Sequence, residues 1–222
     1  MPAADAPSPF AALLEKQRYD PAILPQLEAF IDDKSKYDLE AHLACLKLYQ
    51  FHPEMLKVPT VAKVLVKALM HLPQTDYLAC TYLVPERVLD EEPVSHIAAV
   101  AALLESCQFR AFWGALAPLR GADGPLAAAP GFDDAVRTFM LRTFEITYQS
   151  ATTAHLRESL GVDDAALAKL VSARGWTVAG DQVKIPNNDD NTAKPKRVDA
   201  GEAMSLAQMT KILSSVSAAA QP

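Results

Sequence analysis

The chain has 222 residues, half of them hydrophobic and 22% charged, enough to bury a real core in one generous domain or two small ones. Its net charge of −6 argues against a protein that coats nucleic acid or an anionic membrane. No run nears the roughly 18–20 apolar residues of a membrane span. Residues 1–131 carry 11 basic and 16 acidic groups against 10 and 11 in the remainder, so any contact with phosphate belongs to the second half.

The opening MPAADAPSPF has neither the basic nor the apolar segment of a secretion signal, and residues 1–9 read as a flexible tail. From 10 to 131, helix follows helix between prolines. Apolar spacing predicts helices over 22–33, 38–51, 60–71, 76–89, 95–106 and 109–117, with 132–149 opening the next unit. Connections this short favour antiparallel neighbours.

Within 38–51, Glu40, Lys47 and Gln50 form one narrow polar strip and the rest is apolar, so this helix should be covered on several sides. On 60–71, Lys63 and Lys67 mark a polar strip at i,i+4. Leu43-Ala44-Cys45 recurs as Leu78-Ala79-Cys80, a faint repeat that suits stacked helical pairs of the HEAT or TPR kind. The expected core of the stack includes Leu43, Cys45, Leu46, Phe112 and Trp113.

After residue 149 the pattern changes. Thr152 or Thr153 can cap a short helix that Gly161 stops, and Asp163 can cap a second with Gly175 just past its end. WTVAGDQVKIP follows, two short alternating runs about Gly180-Asp181, a two-residue hairpin signal. Helix, turn, helix and hairpin in that order predict a winged helix over 132–186. The expected fold is therefore mainly α: a HEAT/TPR-like stack, a winged helix with a small β-hairpin wing, and a C-terminal helix. A polar linker at 187–202 leads to 203–222, where Leu206, Met209, Leu213 and Val216 follow a three-four-three seam that Ile212 widens. That seam is the candidate partner-binding surface.

Catalysis needs a nucleophile, base or metal held by partners, and no such constellation is legible. Cys45, Cys80 and Cys107 are isolated thiols without a CxxC pair, in keeping with small core residues in a reducing cytosolic or nuclear compartment. His42 and Cys45 sit at i,i+3, but two ligands do not make a zinc site. NNDDN at 187–191 lacks the spaced glycine and final glutamate of a calcium loop, and reads as solvated linker. No metal or cofactor is expected.

The RNA-contact candidates are Lys169, Arg174 and Lys184 on the winged helix, with Lys194, Lys196 and Arg197 in the linker. KPKR at 194–197 is also open to reading as a nuclear address. Around the wing, the basic residues are balanced by Asp163, Asp164, Glu158 and Asp181, which predicts weak sequence-independent binding at most.

Four blocks carry a specific likeness: YDLEAHLACLKLYQF at 37–51, LPQTDY at 72–77, LLESCQFRAFWGAL at 103–116 and EITYQ at 145–149. They resemble the k-subunit family of eukaryotic translation initiation factor three, PCI-type proteins, over roughly residues 10–186. The resemblance implies a HEAT-like domain fused to a winged helix, no catalysis, and a cytoplasmic place in a multi-subunit factor on the small ribosomal subunit. It also implies the l subunit as the nearest partner. Pro85, inside a predicted helix, departs from the pattern. Two other readings stay open: a nucleic-acid-binding winged-helix protein, or a scaffold subunit of another PCI assembly such as the proteasome lid or signalosome.

Overall fold

The computed structural model describes residues 10–121, 124–193 and 204–219, the side chains of 217–219 excepted. The stack begins with α1 (Ala11–Gln17). A 3-10 turn at Pro21–Ile23, capped by Asp20, then runs into α2 (Leu24–Asp32). α3 (Leu39–Phe51) starts where the Asp38 carboxylate accepts the Glu40 backbone N–H. α4 (Val58–Leu69) follows, with Pro59 in its first turn.

The predicted helix over 76–89 is two helices, α5 (Asp76–Thr81) and α6 (Glu86–Leu89). Pro85 is the break: it has no N–H to give the turn before it and stands instead at the start of α6. α7 (Val94–Glu105) and α8 (Phe109–Ala115) complete the stack.

The most enclosed helix is α4, which touches α2, α3, α5 and α7. From Thr60 to Leu69 only Lys63 escapes full burial. The expected polar strip on this helix is therefore half wrong. Lys63 reaches the surface and pairs with Asp32 at 2.6 Å, whereas Lys67 is 3% exposed. Its Nζ donates to the carbonyls of Ile31, Asp33 and Lys36 at 2.7, 2.6 and 3.2 Å. Three acceptors need three protons, so the buried amine is an ammonium capping the C-terminal end of α2.

α3 is buried on most sides as expected, with Ala41, His42, Ala44, Cys45, Leu46, Leu48 and Tyr49 inside. Its exposed strip is wider than predicted, because Leu43 is only partly covered and Phe51 lies out against Tyr19 beneath the Lys47 ammonium. The two LAC triplets occupy adjacent helices, α3 and α5, and in each the cysteine is fully buried.

The winged helix is built from α9 (Phe132–Thr147), β1 (Ser150–Thr152), α10 (Thr153–Leu160), α11 (Asp164–Ala173), β2 (Thr177–Ala179) and β3 (Gln182–Lys184). The sheet is antiparallel with order β1-β3-β2. β1 was not anticipated: three residues are too few to show an alternation, and Ser150, Ala151 and Thr152 carry no strong strand signal.

The predicted caps are present. Thr152 Oγ1 accepts the His155 N–H, Asp163 accepts the Ala166 N–H, and Gly161 and Gly180 have φ of +59° and +64°. Gly175 closes α11 in a Schellman motif: its N–H reaches the Ser172 carbonyl while the Trp176 N–H reaches Val171. One buried apolar cluster runs from Leu14 in α1 to Ile185 after β3, so the stack and the winged helix share a core.

Candidate interaction surfaces

Two of the three thiols, Cys45 and Cys80, and the His42 ring are packed away, whereas Cys107 is exposed. Burial pushes the Cys45 and Cys80 thiols up to about 12, far from the thiolate that reactivity requires. His42 is fully buried beside the Tyr37 and Phe30 rings, and neither ring nitrogen has a hydrogen-bond partner. That burial drives its pKa down to about 3, with Lys67 and His71 adding a little, so the ring is neutral. Among the described residues no group of three or more His, Cys, Asp or Glu side chains is placed to hold a metal ion.

On the winged helix, three of the four arginines already have carboxylates, Arg137 with Asp134 among them. Arg174 donates to Glu145 at 2.9 Å, Arg157 to Asp164 at 3.2 Å, and Arg110 of α8 pairs with Glu158 at 2.9 Å. Of the RNA candidates, Lys169 on α11 and Lys184 on β3 are exposed and Arg174 is tied down. Lys194, Lys196 and Arg197 lie outside the described residues. The outer strand β2 turns Val178 to solvent even though its cross-strand partner Val183 is buried. The wing therefore offers an apolar edge and a sparse, mostly neutralised charge.

Two features escaped the sequence reading. Trp113, expected in the core, is only partly buried because its task is at a junction. Its indole N–H donates to the Ser159 carbonyl at 2.8 Å, with the Arg137 guanidinium 5.0 Å above the ring. This ties α8 of the stack to α10 of the winged helix. A Cβ on Gly161 would meet the indole at 2.8 Å, so that glycine serves the close approach as well as the turn.

The second is the start of the presumed linker. The Asn191 amide shares its two N–H bonds among the carbonyls of Glu145, Pro186 and Tyr148 at 3.1, 3.0 and 3.3 Å, and Asn188 donates to Glu145 at 2.9 Å. Asparagines 188 and 191 thus clasp the last turn of α9, satisfying carbonyls that the helix leaves open. A loop rich in Asn and Asp reads the same in a sequence whether it caps a distant helix or only meets water.

Beyond the linker, α12 (Leu206–Ala219) forms where the apolar seam was read. Its seam is uncovered: Leu206 is 81% exposed and Leu213 69%, with Met209, Ile212 and Val216 exposed as well.

A mainly helical stack shares its core with the winged helix and is followed by an open apolar helix. The profile of the CSN8/PSMD8/EIF3K family matches residues 55–197. The chain belongs to this family. Its curated relatives include proteins described as eukaryotic translation initiation factor 3 subunit K. The one from Homo sapiens is 36% identical over 185 residues, covering 82% of this chain and 84% of its own length. Those from Xenopus tropicalis and Culex quinquefasciatus are 37% and 35% identical, with coverage of 82% and 79% of this chain. The stretch matching the CSN8/PSMD8/EIF3K profile takes in α4 to α11, the sheet and the asparagine clasp, and stops before α12.

Proposed function

We propose that this chain is a non-catalytic architectural subunit of translation initiation factor three, supporting its assembly on the small ribosomal subunit during initiation in the cytoplasm. Similarity over about four-fifths of the chain, and of their own length, to relatives described as subunit K carries this reading. The mechanism is mutual burial: a rigid stack and wing present faces to neighbouring subunits, the l subunit nearest among them. The working units are a HEAT-like domain at 10–131, a winged helix at 132–186 and the C-terminal helix within 203–222; the expected tail at 1–9 and the second half of the expected linker at 187–202 lie outside the described residues. The partner-binding seam is Leu206, Met209, Ile212, Leu213 and Val216, exposed now and long enough for another helix to cover.

Purifying the full chain from its own cell at moderate salt tests the assignment. Recovery of the other subunits of the factor is expected, and recovery of proteasome-lid or signalosome subunits in their place would overturn it. Direct RNA contact through Lys169, Lys184 and the 194–197 cluster is weak in this reading, with a Kd of about 10⁻⁴–10⁻⁶ M in physiological salt. The Arg174–Glu145 and Arg157–Asp164 pairs support this, because paired cations release few counterions. A fluorescence titration with ribosomal RNA fragments checks it. Nanomolar binding that disappears in Lys169→Ala/Arg174→Ala would assign the winged helix to nucleic acid.

A further inference from the structure

Where the α2–α3 connection meets the end of α4, a cavity of about 310 Å³ opens to the surface. Lys34, Ser35, Lys36 and Tyr37 line it from the connection, Lys67, Met70 and His71 from α4 and its exit, and Ala129 and Pro130 from the loop before α9. No carboxylate lines it, in a chain whose net charge is −6. The nearest acid on the connection, Asp33, is already engaged by Lys36 at 2.8 Å and by the Ser35 hydroxyl and backbone N–H.

Lys34 has no ion pair or hydrogen bond among the described side chains. The Lys67 ammonium is buried and held by carbonyl oxygens alone, so no carboxylate within bonding distance neutralises it. Lys34, Lys36 and Lys67 thus line one cavity beside the apolar surfaces of Met70, Ala129 and Pro130. Asp33 engages Lys36, and Asp32 lies near enough to act on Lys67 while pairing with Lys63. Asp76 takes the Tyr37 hydroxyl, which leaves Lys34 as the cation open to a ligand. In such a concave, partly desolvated place a positive potential is screened less than on open surface.

We propose that this cavity is a docking site for an acidic segment of a partner protein, a glutamate or aspartate side chain entering toward Lys34 and Lys36 with its stem on Met70 and Pro130. The observations favour a peptide over RNA. Single-stranded RNA is held by stacking bases on free aromatic faces. The two aromatic rings here are stacked on each other, Tyr37 and His71, with centroids 3.7 Å apart and planes 17° from parallel. The far side of Tyr37 meets His42 at 4.9 Å, and its hydroxyl donates to Asp76 at 2.6 Å. Of these two rings the exposed His71 alone keeps an outer face, a single imidazole in place of the succession of platforms that single-stranded RNA stacks on.

The site is independent of the α12 seam and of membership in any particular complex. The test uses the full chain and a fluorescein-labelled hexaglutamate peptide followed by anisotropy. Saturable binding is expected at about 50 mM salt, weakened about tenfold or more at about 300 mM. Lys34→Glu/Lys36→Glu should abolish it, while Lys47→Glu on the far face of α3 leaves it unchanged. Both lysines of the double variant are exposed, so its melt should match the parent's and separate lost binding from lost fold. Absence of binding, or binding indifferent to the double variant, would overturn the proposal. So would displacement of the peptide by an oligouridine of equal length at lower concentration, or self-association of the chain that the double variant abolishes.

Discussion

α3 and α12 are alike in sequence and opposite in place. Both are helices of about the same length with more apolar than charged side chains, Leu39–Phe51 and Leu206–Ala219. In α3 the apolar side chains are taken up by α1, α2, α4 and α5, and Leu46 is 1% exposed. In α12 the seam stands in solvent. Burial is thus a property of the neighbours a helix finds, and a seam legible in the sequence does not say who covers it.

The contrast breaks most sharply on single leucines. Leu46→Ala removes side-chain volume at a site with contacts all round, and should lower stability by about 2–5 kcal/mol, a large share of a domain's total. Leu213→Ala, already 69% exposed, should leave thermal unfolding of the isolated chain within experimental scatter. Paired melts by circular dichroism decide the matter. Equal shifts for the two variants would mean that α12 is covered by its own chain in solution.

The same contrast marks how far the sequence can be read. Most helix positions, the Gly180-Asp181 hairpin and the caps at Thr152 and Asp163 rest on local chemistry and appear where they were expected, the helix over 76–89, broken at Pro85, excepted. Lys67 and Asn191 could not be placed this way, since a lysine at helical spacing and an asparagine in a loop look solvent-facing until a distant carbonyl arrives. The lysines of the cavity are similarly scattered: Lys34 and Lys36 meet Lys67 only because α4 packs against the α2–α3 connection. The strand β1 was missed because its pairing with β3, from Ser150–Lys184 to Thr152–Gln182, is a long-range fact.

A second prediction concerns acid. His42 is buried neutral in the folded chain with a pKa near 3 against 6.5 when exposed, so the unfolded chain binds the extra proton first as pH falls. The stability that neutral His42 allows is fully present above about pH 6.5 and is lost progressively below it, by about 2 kcal/mol at pH 5. His71 is shifted in the same direction by burial and adds to the slope. Urea titrations at pH 8 and pH 5 measure the difference. His42→Leu, which fills similar space with no nitrogen to protonate, should flatten most of it; an unchanged slope would place the acid sensitivity elsewhere.

The asparagine clasp predicts a smaller effect on the winged-helix side. Asn191→Ala removes donors to the carbonyls of Glu145, Tyr148 and Pro186 at the end of α9. Each sits near the surface, where water can replace part of what is lost, so the cost should be about 1 kcal/mol. Hydrogen exchange should show faster opening of the last turn of α9 while α4 keeps its protection. Equal loosening of both would mean that the clasp supports the whole shared core.

The smallest expected effect on stability is the one with most to say about assembly. A helix of 14 residues is marginal alone in water, so α12 should be stable only when its seam is covered. In the isolated chain the seam contributes no buried area, and cutting after Ala200 should leave the melt almost unchanged. In the cell the same truncation should reduce co-purification with neighbouring subunits, because Leu206, Met209, Ile212, Leu213 and Val216 would no longer be available for burial against a partner helix. If stability falls instead by about a kcal/mol or more for each large side chain lost from cover, α12 docks on its own chain in solution. If melt and association both survive, the seam binds nothing that matters to either, and the interface must be sought on the exposed wing edge around Val178.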